Sequence, residues 1–231
     1  AVSSAGDTIE LSDGHYWVQE PGLVVNFPLR LIGDENNPAN VVIELGGSLT
    51  WNAKGGWIEG ITFRRPKLSS KPASSHEVIS IGENGSIDMV HSVLDNNGCD
   101  GAVMSAAGAG RKGRWHNVVL RNGSNGGIVM NGGSSLELSQ CTVKGCKQDA
   151  IRCNDSNIKM TRCKIESNDG CAIVLESSAH AEVSKCKLVC NAGGIMSKGD
   201  DCKTTCASNT VFQCGDKTVP GFKPLATLGD D

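Results

Sequence analysis

Asp149, Arg152, Asn154 and Asp155 lie within seven residues of one another, and Glu176 and Lys198 follow at successive steps of 22 residues from Asn154. Carboxylates set beside guanidinium and ammonium groups can do acid and base work on a sugar ring. One group neutralises a substrate carboxylate while another moves a proton. The catalytic candidates are therefore Asp149, Arg152, Glu176 and Lys198, weighed against a solvated, charge-balanced surface. Glu10 and Glu44 recur in the similar phrases TIEL and VIEL. If stacked one strand apart they form a pair able to bind a cation or share a proton.

Other chemistry is poorly supported. The five histidines, His15, His76, His91, His116 and His180, sit in no recognisable Ser/His or Cys/His constellation, and His76-Glu77 lacks the second histidine of a zinc protease motif. Residues 108–113, Gly-Ala-Gly-Arg-Lys-Gly, fit G-x-G-x-x-G but open no amphipathic helix, so they read as a flexible loop tip. No metal site and no cofactor are expected.

The elements that must position these residues are read from an internal repeat. The phrases VISIG (78–82), AVMSA (102–106), GIVMN (127–131), AIRCN (150–154), AIVLE (172–176) and GIMSK (194–198) recur, with second residues at 79, 103, 128, 151, 173 and 195. Each is followed by another short apolar patch, as in SLELSQCTV, NIKMTRCKI and HAEVSKCKL, and then by Gly, Asn or Ser. Treating TIEL and VIEL as earlier copies gives eight coils. Short β-segments at a fixed period of 22–25 residues cannot bury an apolar face alone and must stack on their neighbours. The expected fold is all-β, a right-handed parallel β-helix of about eight coils. At about 4.8 Å per strand the rod is about 38 Å long. A β-sandwich fits less well, because hairpin turn signals are missing.

Composition agrees. Glycine supplies 29 of 231 residues and aromatics only 4 %, so the core must be aliphatic and repetitive. A net charge of −3 argues against a globally basic nucleic-acid binder. No apolar run approaches the roughly 20 residues of a membrane span. The chain reads as one domain, 1–231, with basic insertions at 64–77 and 106–116 and an irregular tail at 215–231, and as part of a larger protein.

Of eleven cysteines, Cys141, Cys163 and Cys186 each precede an apolar residue by two positions, at Val143, Ile165 and Leu188. They should form an interior ladder of reduced thiols acting as small hydrophobes. That places the chain in the cytoplasm or nucleus, with an extracellular location as the alternative.

AGDTIEL with Gly14 and Tyr16, then LRLIGD, VVIEL and WIEGITFRR, resembles the opening of the pectate-lyase-like right-handed β-helix superfamily. The later coils, with Gly-Gly-Ile and Ser-x-Leu-x-x-Cys, are similar to the β-helices of F-box proteins and Shc-SH2-domain-binding proteins. That second likeness implies a protein-interaction module. In polysaccharide-cleaving members the face of the anchor strand implies a substrate cleft.

Alternation along the anchor strand turns Glu10, Glu44, Ser80, Met104, Val129, Arg152, Val174 and Met196 outward. The central part of this stripe is apolar. The two basic insertions, bearing Arg64, Arg65, Lys67 and Lys71 and then Arg111, Lys112 and Arg114, are expected to flank it on opposite sides. The resulting expectation is a recognition module that binds an acidic or acidic-apolar protein or peptide. Its contacts are Arg64, Arg65, Lys67, Met104, Arg111, Arg114, Val129, Arg152, Val174 and Met196. The alternative is a lyase, epimerase or hydrolase acting on an acidic polysaccharide. Neither nucleic acid nor membrane is an expected partner.

Overall fold

A computed structural model describes residues 4–67 and 77–212. Three strands and three corners make one coil, and the chain completes eight coils and two strands of a ninth. The first sheet has nine strands, from Thr8–Glu10 to Lys203–Ala207. The second has nine, from Gly14–Val18 to Thr210–Phe212, and the third has eight, from Gly22–Val25 to Gly193–Lys198. Each strand pairs in parallel with its counterparts one coil away. The single helical element among the described residues is the 3-10 turn Pro38–Asn40.

The corner between the first and second sheets is one residue in the left-handed region: Gly60, His91, Asn117, Gln140, Arg162, Lys185 and Ser208, with φ between 46° and 66°. This conformation costs an ordinary L-residue about 1–2 kcal/mol. Six of the seven stacked corners bear that cost, Gly60 being exempt.

Side chains in register fill the interior. Leu31, Ile58, Met89, Trp115, Leu138, Met160 and Val183 line up behind the first sheet, and Ile43, Phe63, Leu94, Leu120, Val143, Ile165 and Leu188 behind the second. Nearly all are less than 3 % exposed. Cys141, Cys163 and Cys186 stack as expected just after the single-residue corner, each about 1–2 % exposed. Their thiols bond backbone carbonyls, and the Cys163 amide donates to the Cys186 sulfur at 3.3 Å. At the next corner a buried asparagine ladder serves the backbone. Asn168 accepts from the Cys146 amide at 2.9 Å, and its own amide donates to Asn191 Oδ1 at 2.8 Å.

The register of the anchor strands departs from the sequence expectation in two places. TIEL belongs to the first sheet and VIEL to the second, so Glu10 and Glu44 lie on different faces and form no pair. The third-sheet strands of the first two coils are Gly22–Val25 and Ser48–Trp51. In the fourth coil Met104, not Val103, pairs with Ile79 and Ile128, which turns Met104 inward and Ser105 outward. Met104 is fully buried in the core.

Candidate functional site

The outer row of the third sheet thus reads Val24, Thr50, Ser80, Ser105, Val129, Arg152, Val174, Met196. Hydroxyls replace the apolar centre that sequence alternation suggested, and Ser105 Oγ bonds Ser80 Oγ at 3.2 Å. Val174 is 1 % exposed and Met196 7 %, so neither offers an apolar contact to a partner. Val129 remains half-buried beside Ser105 and Arg152.

The four catalytic candidates separate into two ion pairs. Arg152 donates to Asp149 Oδ2 at 2.7 Å, and Asp149 Oδ1 accepts from the Cys171 amide. Lys198 Nζ lies 3.0 Å from Glu176 Oε1, on the neighbouring row. Each carboxylate already has a cation. Among the described residues no further side chain bonds these two carboxylates as base or nucleophile.

The basic insertions also resolve differently. Segment 106–116 is no loop, because Gly110–His116 is a strand of the first sheet. A bulge between Arg111 and Gly113 turns Lys112 inward, where Nζ donates to the Gly82 and Glu83 carbonyls and burial lowers its pKa. Arg65 is 1 % exposed and donates to the Gly46 and Gly47 carbonyls, so it is a structural strut and not a rim residue. Arg64 stands on the second sheet bonded to Glu44. Arg114 stands on the first sheet bonded to Asp88. Arg64 and Arg114 therefore stand on different sheets. Lys67 and Arg111 are exposed; Lys71 and His76 lie outside the described residues.

The structure instead opens a cleft of about 370 Å³ over the outer face of the first sheet. Two outward rows run across it. One carries Arg30, Trp57, Asp88, Arg114, Glu137, Lys159 and Glu182. The other carries Glu59, Val90, His116, Ser139, Thr161 and Ser184.

At one end the Arg30 guanidinium sits 5.8 Å over the Trp57 ring, and the indole N–H donates to Glu59 Oε2 at 2.8 Å. Along the first row the charges alternate. Arg114 pairs with Asp88 at 3.1 Å and Lys159 with Glu182 at 3.3 Å, while Glu137 between them is exposed and enters no ion pair. Both cations are about 60 % exposed, so their pairs contribute little to stability and can give way to a ligand. Along the second row His116 Nδ1 and Ser139 Oγ are 2.8 Å apart, and Thr161 and Ser184 share a hydrogen bond at 3.2 Å. The His116 ring meets His91 edge to face at 6.0 Å, and Asn117 donates to His91 Nδ1.

Sequence reasoning missed this face, although its signal was present. Glu137, Lys159 and Glu182 hold the same place in the patches SLELSQCTV, NIKMTRCKI and HAEVSKCKL, the second apolar segment of each coil. Among the described residues no group of three or more His, Cys, Asp or Glu is arranged to hold a metal ion. Nor is any helix long and apolar enough to cross a membrane.

The family model described as right handed beta helix region matches residues 52–211. The chain belongs to the right-handed β-helix family. No curated protein matches it in sequence. Among solved structures this β-helix is similar to a pectin methylesterase from carrot, with TM-score 0.62 and 13 % identity over 96 % of this chain and 79 % of that one. A pectin methylesterase from Yersinia enterocolitica superposes with TM-score 0.54 and 12 % identity, covering 96 % and 89 % of the two chains. One from Aspergillus niger gives 0.52 and 13 %, covering 99 % and 84 %. At these identities the likeness establishes a shared fold.

Proposed function

We propose that this β-helix binds a linear polysaccharide of low net charge along the outer face of its first sheet. The observation that carries the reading is the cleft itself, where an indole and paired charged groups in one row run beside imidazole and hydroxyl groups in the next, at one-strand spacing. A sugar ring presents an apolar C–H face to an aromatic surface and a rim of hydroxyls to hydrogen-bonding side chains, which is the composition found here. The pectin methylesterases that share its fold are named for a polysaccharide.

Charge favours a neutral chain over a polyanion. Asp88 and Glu182 neutralise Arg114 and Lys159, and Glu137 adds an unpaired carboxylate between them. The acidic partner suggested by the sequence depended on two basic rims, and Arg65 and Lys112 are spent on buried carbonyls. The peptide groove depended on an apolar floor to which Met104 does not contribute.

Native electrophoresis through gels containing xylan, galactan or polygalacturonate tests the proposal. Retardation by a neutral polysaccharide, persisting at high salt and weakened about tenfold in Trp57→Ala, is expected. Unchanged mobility in every gel, or retardation by polygalacturonate alone, overturns it.

A further inference from the structure

We propose that Ser139 and His116 form a nucleophile and base pair that hydrolyses an O-acyl ester carried by the bound polysaccharide. The inference rests on the polysaccharide reading of the same cleft, and adds chemistry to it.

Ser139 Oγ and His116 Nδ1 are already 2.8 Å apart, within reach for direct proton transfer. Both project from adjacent strands of the first sheet, Gly110–His116 and Ser134–Ser139, whose pairing fixes their separation without a mobile loop. Both line the cleft, half-buried, so a ligand lying along the sheet passes directly over the hydroxyl. The imidazole is braced on its far side by the edge of His91, itself held by Asn117.

Two cations sit where negative charge would develop. Arg114 and Lys159 face Glu137 from either side, and Glu137 precedes Ser139 by two residues on the same face. Each cation is thus a diagonal neighbour of Ser139, about 7–8 Å away at the backbone and within reach of a long side chain. Both cations are themselves about 60 % exposed, and a tetrahedral oxyanion on the acyl carbon would compete with Asp88 and Glu182 for them. An O-acyl ester is uncharged, in keeping with the cleft's balanced charge.

Ser139 Oγ attacks the acyl carbon and its proton passes to His116 Nδ1. Collapse of the adduct breaks the bond to the sugar oxygen, which leaves as a hydroxyl on taking that proton. Water then attacks the acyl-serine, gives a proton to Nδ1, and releases the carboxylic acid as the proton returns to Oγ.

The test is labelling with a fluorophosphonate, followed by peptide mapping, alongside p-nitrophenyl acetate hydrolysis. Label on Ser139 is expected, with its rate lowered at least about 100-fold in His116→Gln and unchanged in Ser105→Ala, a hydroxyl on the third sheet. A natively folded protein, verified by circular dichroism, that takes no label at Ser139 overturns the inference. So does a His116→Gln variant labelled at the wild-type rate. If such a protein still binds polysaccharide, only the catalytic inference fails; label at Ser139 without polysaccharide binding leaves the nucleophile and base pair standing but removes the binding proposal and, with it, polysaccharide as the carrier of the ester.

Discussion

Ser105 donates a hydrogen bond to Ser80 across one coil of the third sheet, and its hydroxyl occupies the surface position that alternation had assigned to Met104. The register behind that bond is testable by unfolding. Met104→Ala should cost about 2–5 kcal/mol in urea denaturation, as a truncation in a packed core does, whereas Ser105→Ala should stay within about 1 kcal/mol. Equal effects would return Met104 to the surface.

The reason that register was illegible lies in the residues. Ala102, Val103 and Met104 are three apolar residues in a row, so the repeat phrase alone allows Val103 or Met104 inward, and only the frame with Met104 inward keeps Ser105 out of the core. TIEL and VIEL mislead because the three sheets share the same two-residue period. A strand's pattern does not say which face of the coil it occupies. The coil number and the Cys141, Cys163 and Cys186 ladder were legible because each repeats at a fixed interval from Ile128 onwards, where insertions are absent. The cleft escaped notice because Trp57, Asp88 and Arg114 come from coils whose lengths still vary.

The buried thiols should make stability depend on pH. Burial pushes Cys153 up to about 12, and the adjoining Cys141 thiol does the same for Cys163. An unfolded thiol ionises near 8.5, so between about 8.5 and 12 the unfolded chain loses these protons first. Stability should be fully present below that window and decline as pH rises through it. Urea midpoints at pH 7.5 and 10.5 should differ less in the Cys153→Ala/Cys163→Ala double variant than in wild type.

The same ladder should be reduced. Thiol counting in denaturant without reductant should find these cysteines free, and native protein at pH 8 should react at none of the three. Three or more disulfides would contradict the ladder's role as packing.

Asn168 should matter more than its polarity suggests. Asn168→Ala leaves the buried Cys146 amide without its side-chain acceptor. A loss of about 1–3 kcal/mol for that unsatisfied group is expected in denaturant titrations. Lys185, exposed at φ 54°, presents the opposite case. Lys185→Gly should raise stability by up to about 1 kcal/mol by relieving a left-handed corner.

Polygalacturonate should not be cleaved to unsaturated products, with or without calcium. Arg152 and Lys198 are committed to Asp149 and Glu176, in two pairs on different rows. Absorbance of unsaturated uronate that appears with wild type and vanishes in Arg152→Ala would contradict this.

The proposed polysaccharide site lies over the first sheet and not over the third. Calorimetric titration with a neutral hexasaccharide, comparing Trp57→Ala with Arg152→Ala, addresses it directly. The predicted result is an affinity about tenfold weaker in Trp57→Ala and within about threefold of wild type in Arg152→Ala. Loss of binding in Arg152→Ala with Trp57→Ala unaffected would move the site to the third sheet and contradict the account.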